Sequence, residues 1–331
     1  MTSRISPFAL IVCAVALVCS GCGKGAPPAG AGAKILKIAV IPKGMTHEFW
    51  KSIHAGAAQA AEELGVEILW KGAQKEDDRA QQITVVEDVI SRGVDGIVLA
   101  PLDDRALVRP VQDAVREKIP VIIIDSGLQG RDYLSFVATD NYQGGMLAAR
   151  RLGDLLGGKG RIFMIRYLEG SASTAERERG FLETVTKDYP GLQLLVKDQY
   201  AGATTETAYQ LGENLLGRFP DVEGVFCPNE SSTFGMLRAL QESRFAGKVK
   251  FVGFDSSPKL IQALRDGHLH GLILQNPFKM GYLGVTRMVQ YLRGEKIPDR
   301  VDTGVTLVTR ETMDTPEIQT LLSPDLSILD R

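Results

Sequence analysis

Val94-Asp-Gly-Ile-Val-Leu-Ala-Pro101 returns about 130 residues later as Val222-Glu-Gly-Val-Phe-Cys-Pro228, one residue shorter. Each copy leads to a second apolar run that ends on the same pair, Val121-Ile-Ile-Ile-Asp125-Ser126 and Phe251-Val-Gly-Phe-Asp255-Ser256. Each follows a helical segment of similar character, Glu87-Asp-Val-Ile-Ser-Arg92 and Glu213-Asn-Leu-Leu-Gly-Arg218. Three matches in one order point to two similar domains, and the period is too long for a solenoid.

Working outward, short apolar runs fall at 36–41, 66–70, 96–100, 120–124, 161–165, 192–196, 224–227, 249–254 and 272–274. Several are nearly continuous in β-branched residues, as in parallel strands buried on both faces. Amphipathic stretches such as 47–63, 80–92, 142–156, 205–216 and 232–242 lie between them. Strand–helix alternation of this kind predicts an α/β protein of two doubly wound parallel-sheet lobes. The length agrees: 331 residues exceed what a single core usually holds, roughly 250–300.

Lys+Arg number 38 against 40 Asp+Glu, and 44% of residues are hydrophobic. That apolar fraction and a net charge of -2 exclude a disordered chain. The lack of a basic excess argues against a nucleic-acid partner, whose phosphates need clustered Lys and Arg.

The N-terminus carries Arg4, an apolar stretch from Phe8 to Val18, then Cys19-Ser-Gly-Cys22. A positive start, a short apolar core and small residues before a cleavage point read as an export signal over 1–21. The small pair before Cys22 resembles a bacterial lipoprotein box, with Cys19 where that box usually has Leu. Lipidation of Cys22 and a membrane anchor are the expectation, followed by a Gly/Ala/Pro-rich tether over 22–34. Only Cys227 remains beyond the leader, so no disulfide framework is available, and its apolar run reads as a small buried hydrophobe.

Ligands of open parallel sheets sit beyond the carboxyl ends of the strands. There the sequence places Lys43, Asp103, Asp125, Arg166, Asn229, Asp255 and Gln275. Such side chains supply the paired donors and acceptors that sugar hydroxyls need in a desolvated cleft. Phe49 and Trp50 open the first helix, where an aromatic face can stack on the C–H face of a sugar ring. His47 is either an N-cap or a hydrogen-bonding contact.

Other motifs carry no chemistry. The glycine-rich Gly153-Asp-Leu-Leu-Gly-Gly-Lys-Gly160 runs from a helix into a strand, the reverse of a phosphate loop. His268 and His270 lack a third ligand, so no metal site is expected. No nucleophile–base pair emerges, so a binding protein without cofactor is expected rather than an enzyme.

Together the chain from Ile35 onward resembles the type I periplasmic sugar-binding proteins, the ribose/allose-binding receptors of ABC importers. The most specific pieces are Ala39-Val-Ile-Pro-Lys-Gly-Met-Thr-His-Glu-Phe-Trp50, Ile119-Pro-Val-Ile-Ile-Ile-Asp125, Ala138-Thr-Asp-Asn-Tyr-Gln-Gly-Gly145, Arg177-Glu-Arg-Gly-Phe181, Asn229-Glu230, Val252-Gly-Phe-Asp255 and Gln275-Asn-Pro277. The resemblance implies ligand contacts at Lys43, His47, Phe49, Trp50, Asp125, Arg177, Asn229, Asp255 and Gln275. His47 replaces an Asn of the family, and Ser126 stands where ribose binders have Arg. The aromatic that closes the family's pocket from the second lobe has no clear match; Ala203 falls near its place, with Tyr200 close by.

The resemblance further implies a three-stranded hinge near 139–141, 275–276 and 301–303. That gives a first lobe of 35–139 plus 276–302 and a second of 140–275 plus 303–331. The implied protein is a monomeric receptor that closes on a monosaccharide or similar polyhydroxylated molecule and docks on an ABC permease. A ligand sensor for a membrane kinase or chemoreceptor is the alternative. A lactose-repressor-like factor would need a DNA-binding helix-turn-helix where the leader stands.

Overall fold

A computed structural model describes residues 34–331; the expected export signal over 1–21, Cys22 and the expected tether before Lys34 lie outside the described residues. Strand and helix alternate first through Lys37–Ile41 (β1), Glu48–Leu64 (α1), Glu67–Trp70 (β2), Arg79–Ser91 (α2), Gly96–Leu99 (β3), Val108–Arg116 (α3), Val121–Ile124 (β4) and Ser135–Ala138 (β5). Then come Asn141–Leu155 (α4), Lys159–Met164 (β6), Ala172–Asp188 (α5), Gly191–Val196 (β7), Thr205–Arg218 (α6), Gly224–Phe226 (β8), Glu230–Glu242 (α7), Lys250–Phe254 (β9), Pro258–Arg265 (α8) and Gly271–Leu274 (β10). The chain closes with Pro277–Leu292 (α9), Arg300–Asp302 (β11), Thr306–Val308 (β12), Pro316–Leu322 (α10) and a 3-10 turn, Ser327–Asp330.

Two six-stranded sheets result, ordered β11-β5-β4-β3-β1-β2 and β12-β10-β9-β8-β6-β7. Replacing β1–β5 by β6–β10 converts one order into the other, and the repeated sequences occupy β3/β8 and β4/β9. Pairing is parallel except at the edge, where β12 runs antiparallel to β10 while β11 runs parallel to β5. Strands β3, β4, β8 and β10 are buried along their whole length, which is why their sequences do not alternate.

The chain crosses between sheets three times. Helix α4 follows β5 but joins the second sheet's core, with Ala148, Ala149 and Leu152 beside Ile162, Val252 and Phe254. Helix α9 follows β10 but joins the first, with Met280, Val285 and Met288 beside Ile38 and Val98. The third crossing follows β11, which ends at Asp302. Thr303 N–H donates to the Ala138 carbonyl and Thr139 Oγ1 to the Gly304 carbonyl, tying two crossings together.

The last residues depart from the expected division. Leu322 belongs to the second lobe's core, but the Ser327–Asp330 turn lies against α1 and Arg331 pairs with Glu62. The tail assigned whole to the second lobe therefore returns to the first.

Candidate functional site

All nine candidate contacts line one cleft between the sheets: Lys43, His47, Phe49, Trp50, Asp125, Arg177, Asn229, Asp255 and Gln275. Their convergence follows from topology. Lys43 and the start of α1 follow β1, Asp125 ends β4, Arg177 lies in α5 after β6, and Asp255 ends β9.

Asp125 and Asp255 hold matching backbone strain, with φ of 60° and 66°. The left-handed region disfavours residues with a Cβ, and Asp tolerates it because its short side chain bonds locally. At the end of a buried strand this turn aims the carboxylate into the cleft. Both carboxylates are buried, and their partners differ. Asp125 Oδ2 lies 2.8 Å from Lys43 Nζ, an ion pair outside the directed geometry of a hydrogen bond. Asp255 accepts from Gln275 Nε2 at 2.7 Å and from Glu230 N–H at 3.2 Å, with Arg177 Nη1 at 3.9 Å. Burial pushes the Asp255 carboxyl up, and Arg177 and these hydrogen bonds oppose that shift.

Arg177 is fixed from several sides. Its Nε donates to Asn141 Oδ1 and its Nη1 to the Pro228 carbonyl, both at 2.8 Å. Its guanidinium carbon lies 3.9 Å from the centre of the Phe254 ring. Burial lowers its pKa, opposed chiefly by Asp255 and Asp125. The glycine three residues on has a packing reason, because a methyl at Gly180 would overlap the Tyr142 carbonyl oxygen where α5 crosses α4. The Arg-x-x-Gly-Phe spacing thus joins a polar grip to a close helix crossing, with Phe181 buried beneath.

His47 is the N-cap of α1, yet its side chain makes no capping bond. Its Nδ1 instead pairs with Glu76 Oε1 at 2.5 Å. Burial alone would lower the imidazole, but the Glu76 carboxylate raises it to about 9. Glu76, which burial would raise, is held at about 2 by His47, Trp50 and Lys43. Asn229 is largely committed to structure: its Oδ1 accepts from Ser232 in a capping box, and its Nδ2 donates to Ser231 Oγ at 3.0 Å. Gln275 Oε1 is buried without a hydrogen-bond partner among the described residues, an acceptor aimed into a polar cleft.

Residues 38–296 match the family model of the periplasmic binding protein domain. The chain belongs to that family. Among this periplasmic binding protein's relatives, the ribose import binding protein of Salmonella typhimurium is 30% identical over 276 residues, 83% of this chain and 90% of that one. A solved carbohydrate transporter solute binding protein from Agrobacterium radiobacter, in complex with D-arabinose, is 35% identical with a TM-score of 0.85. It covers 88% of this chain and 100% of its own. An ABC transporter solute binding protein from Agrobacterium vitis with bound D-fucose is 34% identical with a TM-score of 0.84, over 87% of this chain and 100% of its own.

The periplasmic binding protein cleft also contains residues that strand-end reasoning passed over: Glu76, Tyr167, Ser173, Thr174 and Glu230. Tyr167 takes the place in the cleft wall expected of Arg166. Its neighbour Arg166 turns away to pair with Glu178 at 2.6 Å and lie over Tyr200. Tyr200 is 43% exposed, and neither it nor Ala203 lines the cleft, so Tyr167 is the second lobe's aromatic there. Asp103 also lies outside the cleft, paired with Arg79 at 2.8 Å. Glu76 sits six residues beyond β2, too far past the strand for that rule to reach. Glu230 adjoins Asn229, and burial raises its carboxyl to about 7. Cys227 is fully buried, and burial pushes its thiol up, away from the reactive thiolate.

Proposed function

We propose that this periplasmic binding protein is an extracytoplasmic receptor that closes its lobes on a monosaccharide or similar polyhydroxylated molecule and hands it to an ABC import permease. The observation that carries this reading is the pairing of functions across the cleft. Phe49 and Trp50 meet edge to face at 5.0 Å and offer an aromatic wall from the first lobe. The second lobe offers Arg177, Asp255, Asn229, and Gln275 at the crossing, the planar and charged groups that grip vicinal hydroxyls. Closure is favoured when ligand contacts come from both sides at once.

The sugars bound by the solved relatives support the ligand class. The proposed contacts are Lys43, His47, Phe49, Trp50, Asp125, Arg177, Asn229, Asp255 and Gln275. The receptor works as a monomer without a cofactor and performs no covalent chemistry. A diacylglyceryl group with an N-acyl chain on Cys22 would hold it stably at the membrane, since several chains anchor where one does not.

The test is a thermal-shift panel of pentoses, hexoses, polyols, amino acids and nucleosides. A ligand that binds only the folded state raises the melting temperature by mass action. A shift with one or two monosaccharides is expected. A shift confined to amino acids or nucleosides would overturn the ligand class.

A further inference from the structure

Glu76 is a carboxylate in the wall of the cleft, 7% exposed, whose acceptor positions the protein itself fills. Its Oε1 accepts from the Trp50 indole N–H at 2.6 Å and pairs with His47 Nδ1. Its Oε2 accepts from the Tyr167 hydroxyl at 2.7 Å. A carboxylate offers about four acceptor sites, and three are occupied, so little remains for a ligand hydroxyl. The donors have different origins. Trp50 and His47 belong to the first lobe with Glu76, whereas Tyr167 follows β6 in the second.

Other bonds cross the cleft as well. Lys43 Nζ donates to Ser173 Oγ at 3.0 Å, and Phe49 N–H donates to Glu230 Oε2 at 3.2 Å. The Tyr167–Glu76 bond differs from these in its hub. The carboxylate it completes is the one that fixes the indole of Trp50 and the ring of His47, two proposed ligand contacts. A buried hydrogen bond to a charged acceptor is among the stronger kinds. Separation of the lobes would break this bond and leave the first-lobe pair in place.

We propose that Tyr167 is an inter-lobe latch: its hydroxyl completes the Glu76 hydrogen-bond shell only when the lobes meet, slowing ligand release through closure without selecting among ligands. The inference rests on the receptor reading above. Tyr167 and Glu76 act as positioning residues, through Trp50, His47 and the closed arrangement.

The test uses the full-length protein with Tyr167→Phe, Glu76→Gln and both together. The phenyl ring keeps the packing and loses only the hydroxyl. The chain has two tryptophans, Trp50 and Trp70, so a Trp70→Phe background makes Trp50 fluorescence the stopped-flow signal for sugar dissociation. Tyr167→Phe is expected to raise the dissociation rate at least tenfold for every sugar that binds, with association rates and the order of preference unchanged. In the Glu76→Gln background the same change should add little, because the two residues form one contact. Unchanged dissociation rates, a reordered preference, or fully additive effects would each overturn the latch. Should no sugar bind the parent, the receptor reading fails on its own. The latch is then decided by X-ray scattering of the ligand-free proteins, where a larger radius of gyration for Tyr167→Phe supports it and equal radii overturn it.

Discussion

The two lobes share a strand order and a left-handed aspartate at the same place, yet they neutralise that aspartate differently. In the first lobe one ammonium, Lys43, sits 2.8 Å from Asp125. In the second, Asp255 is held by Gln275, the Glu230 N–H and a more distant Arg177. The first arrangement concentrates compensation in one partner, and the second spreads it over several. A duplicated scaffold therefore fixes where the carboxylates stand, and the surrounding side chains decide what each is free to do. Lys43 alone stands beside Asp125, whereas Asp255 faces Arg177 at the longer distance of 3.9 Å.

The largest effect should come from breaking the concentrated pair. Lys43→Met is expected to destabilise the protein by about 3–5 kcal/mol, since removing one partner leaves a buried carboxylate uncompensated. Gln275→Met, which removes one of several partners, should cost clearly less in the same urea titration. Equal losses would break the contrast between the lobes.

Asp255→Ala is expected to weaken sugar binding at least 100-fold by calorimetry, because hydrogen bonds to a charged group are worth about 1.5–3 kcal/mol each. Asp255→Asn suits the left-handed backbone better than Ala does, and so separates loss of charge from loss of turn geometry. Binding as tight as the parent's in both variants would remove Asp255 from the site. Arg177→Lys should have a smaller effect, about tenfold, because an ammonium is a point donor without the guanidinium's planar fork.

The smallest effect is a pH dependence confined to the first lobe's wall and its contact with Glu230. His47 is raised to about 9, so its contribution to stability is complete below the ordinary 6.5 and is lost as pH rises through 9. Glu230 is raised to about 7, and its contribution is likewise lost as pH rises through 7. Glu76, held at about 2, keeps its contribution until pH falls toward that value. The melting temperature should thus decline from about pH 4.5 to 9, and His47→Gln should flatten the upper part of the decline. A melting temperature that rises across this interval would contradict the His47–Glu76 assignment.

Much of this was legible before any coordinates. The strands announced themselves because central parallel strands are buried on both faces, and the repeat revealed two lobes because each copy must meet the same packing demands. Short edge strands were less visible. Residues 300–302 are mostly polar and exposed at both ends, and 306–308 form a strand of only three residues. The same weakness hid the return of Arg331 to α1.

By itself, the sequence determined which residue types stand at the carboxyl ends of the strands, and among them Lys43, Asp125, Asn229, Asp255 and Gln275 gather at one cleft. Local chain geometry suffices there, because a strand's end and the turn after it are set by neighbouring residues. Only the tertiary structure decided which of two adjacent polar residues faces inward, Tyr167 over Arg166, and that Glu76, remote in sequence from both His47 and Tyr167, joins them. Those contacts depend on how two separately folded sheets approach each other, and no local periodicity encodes that distance.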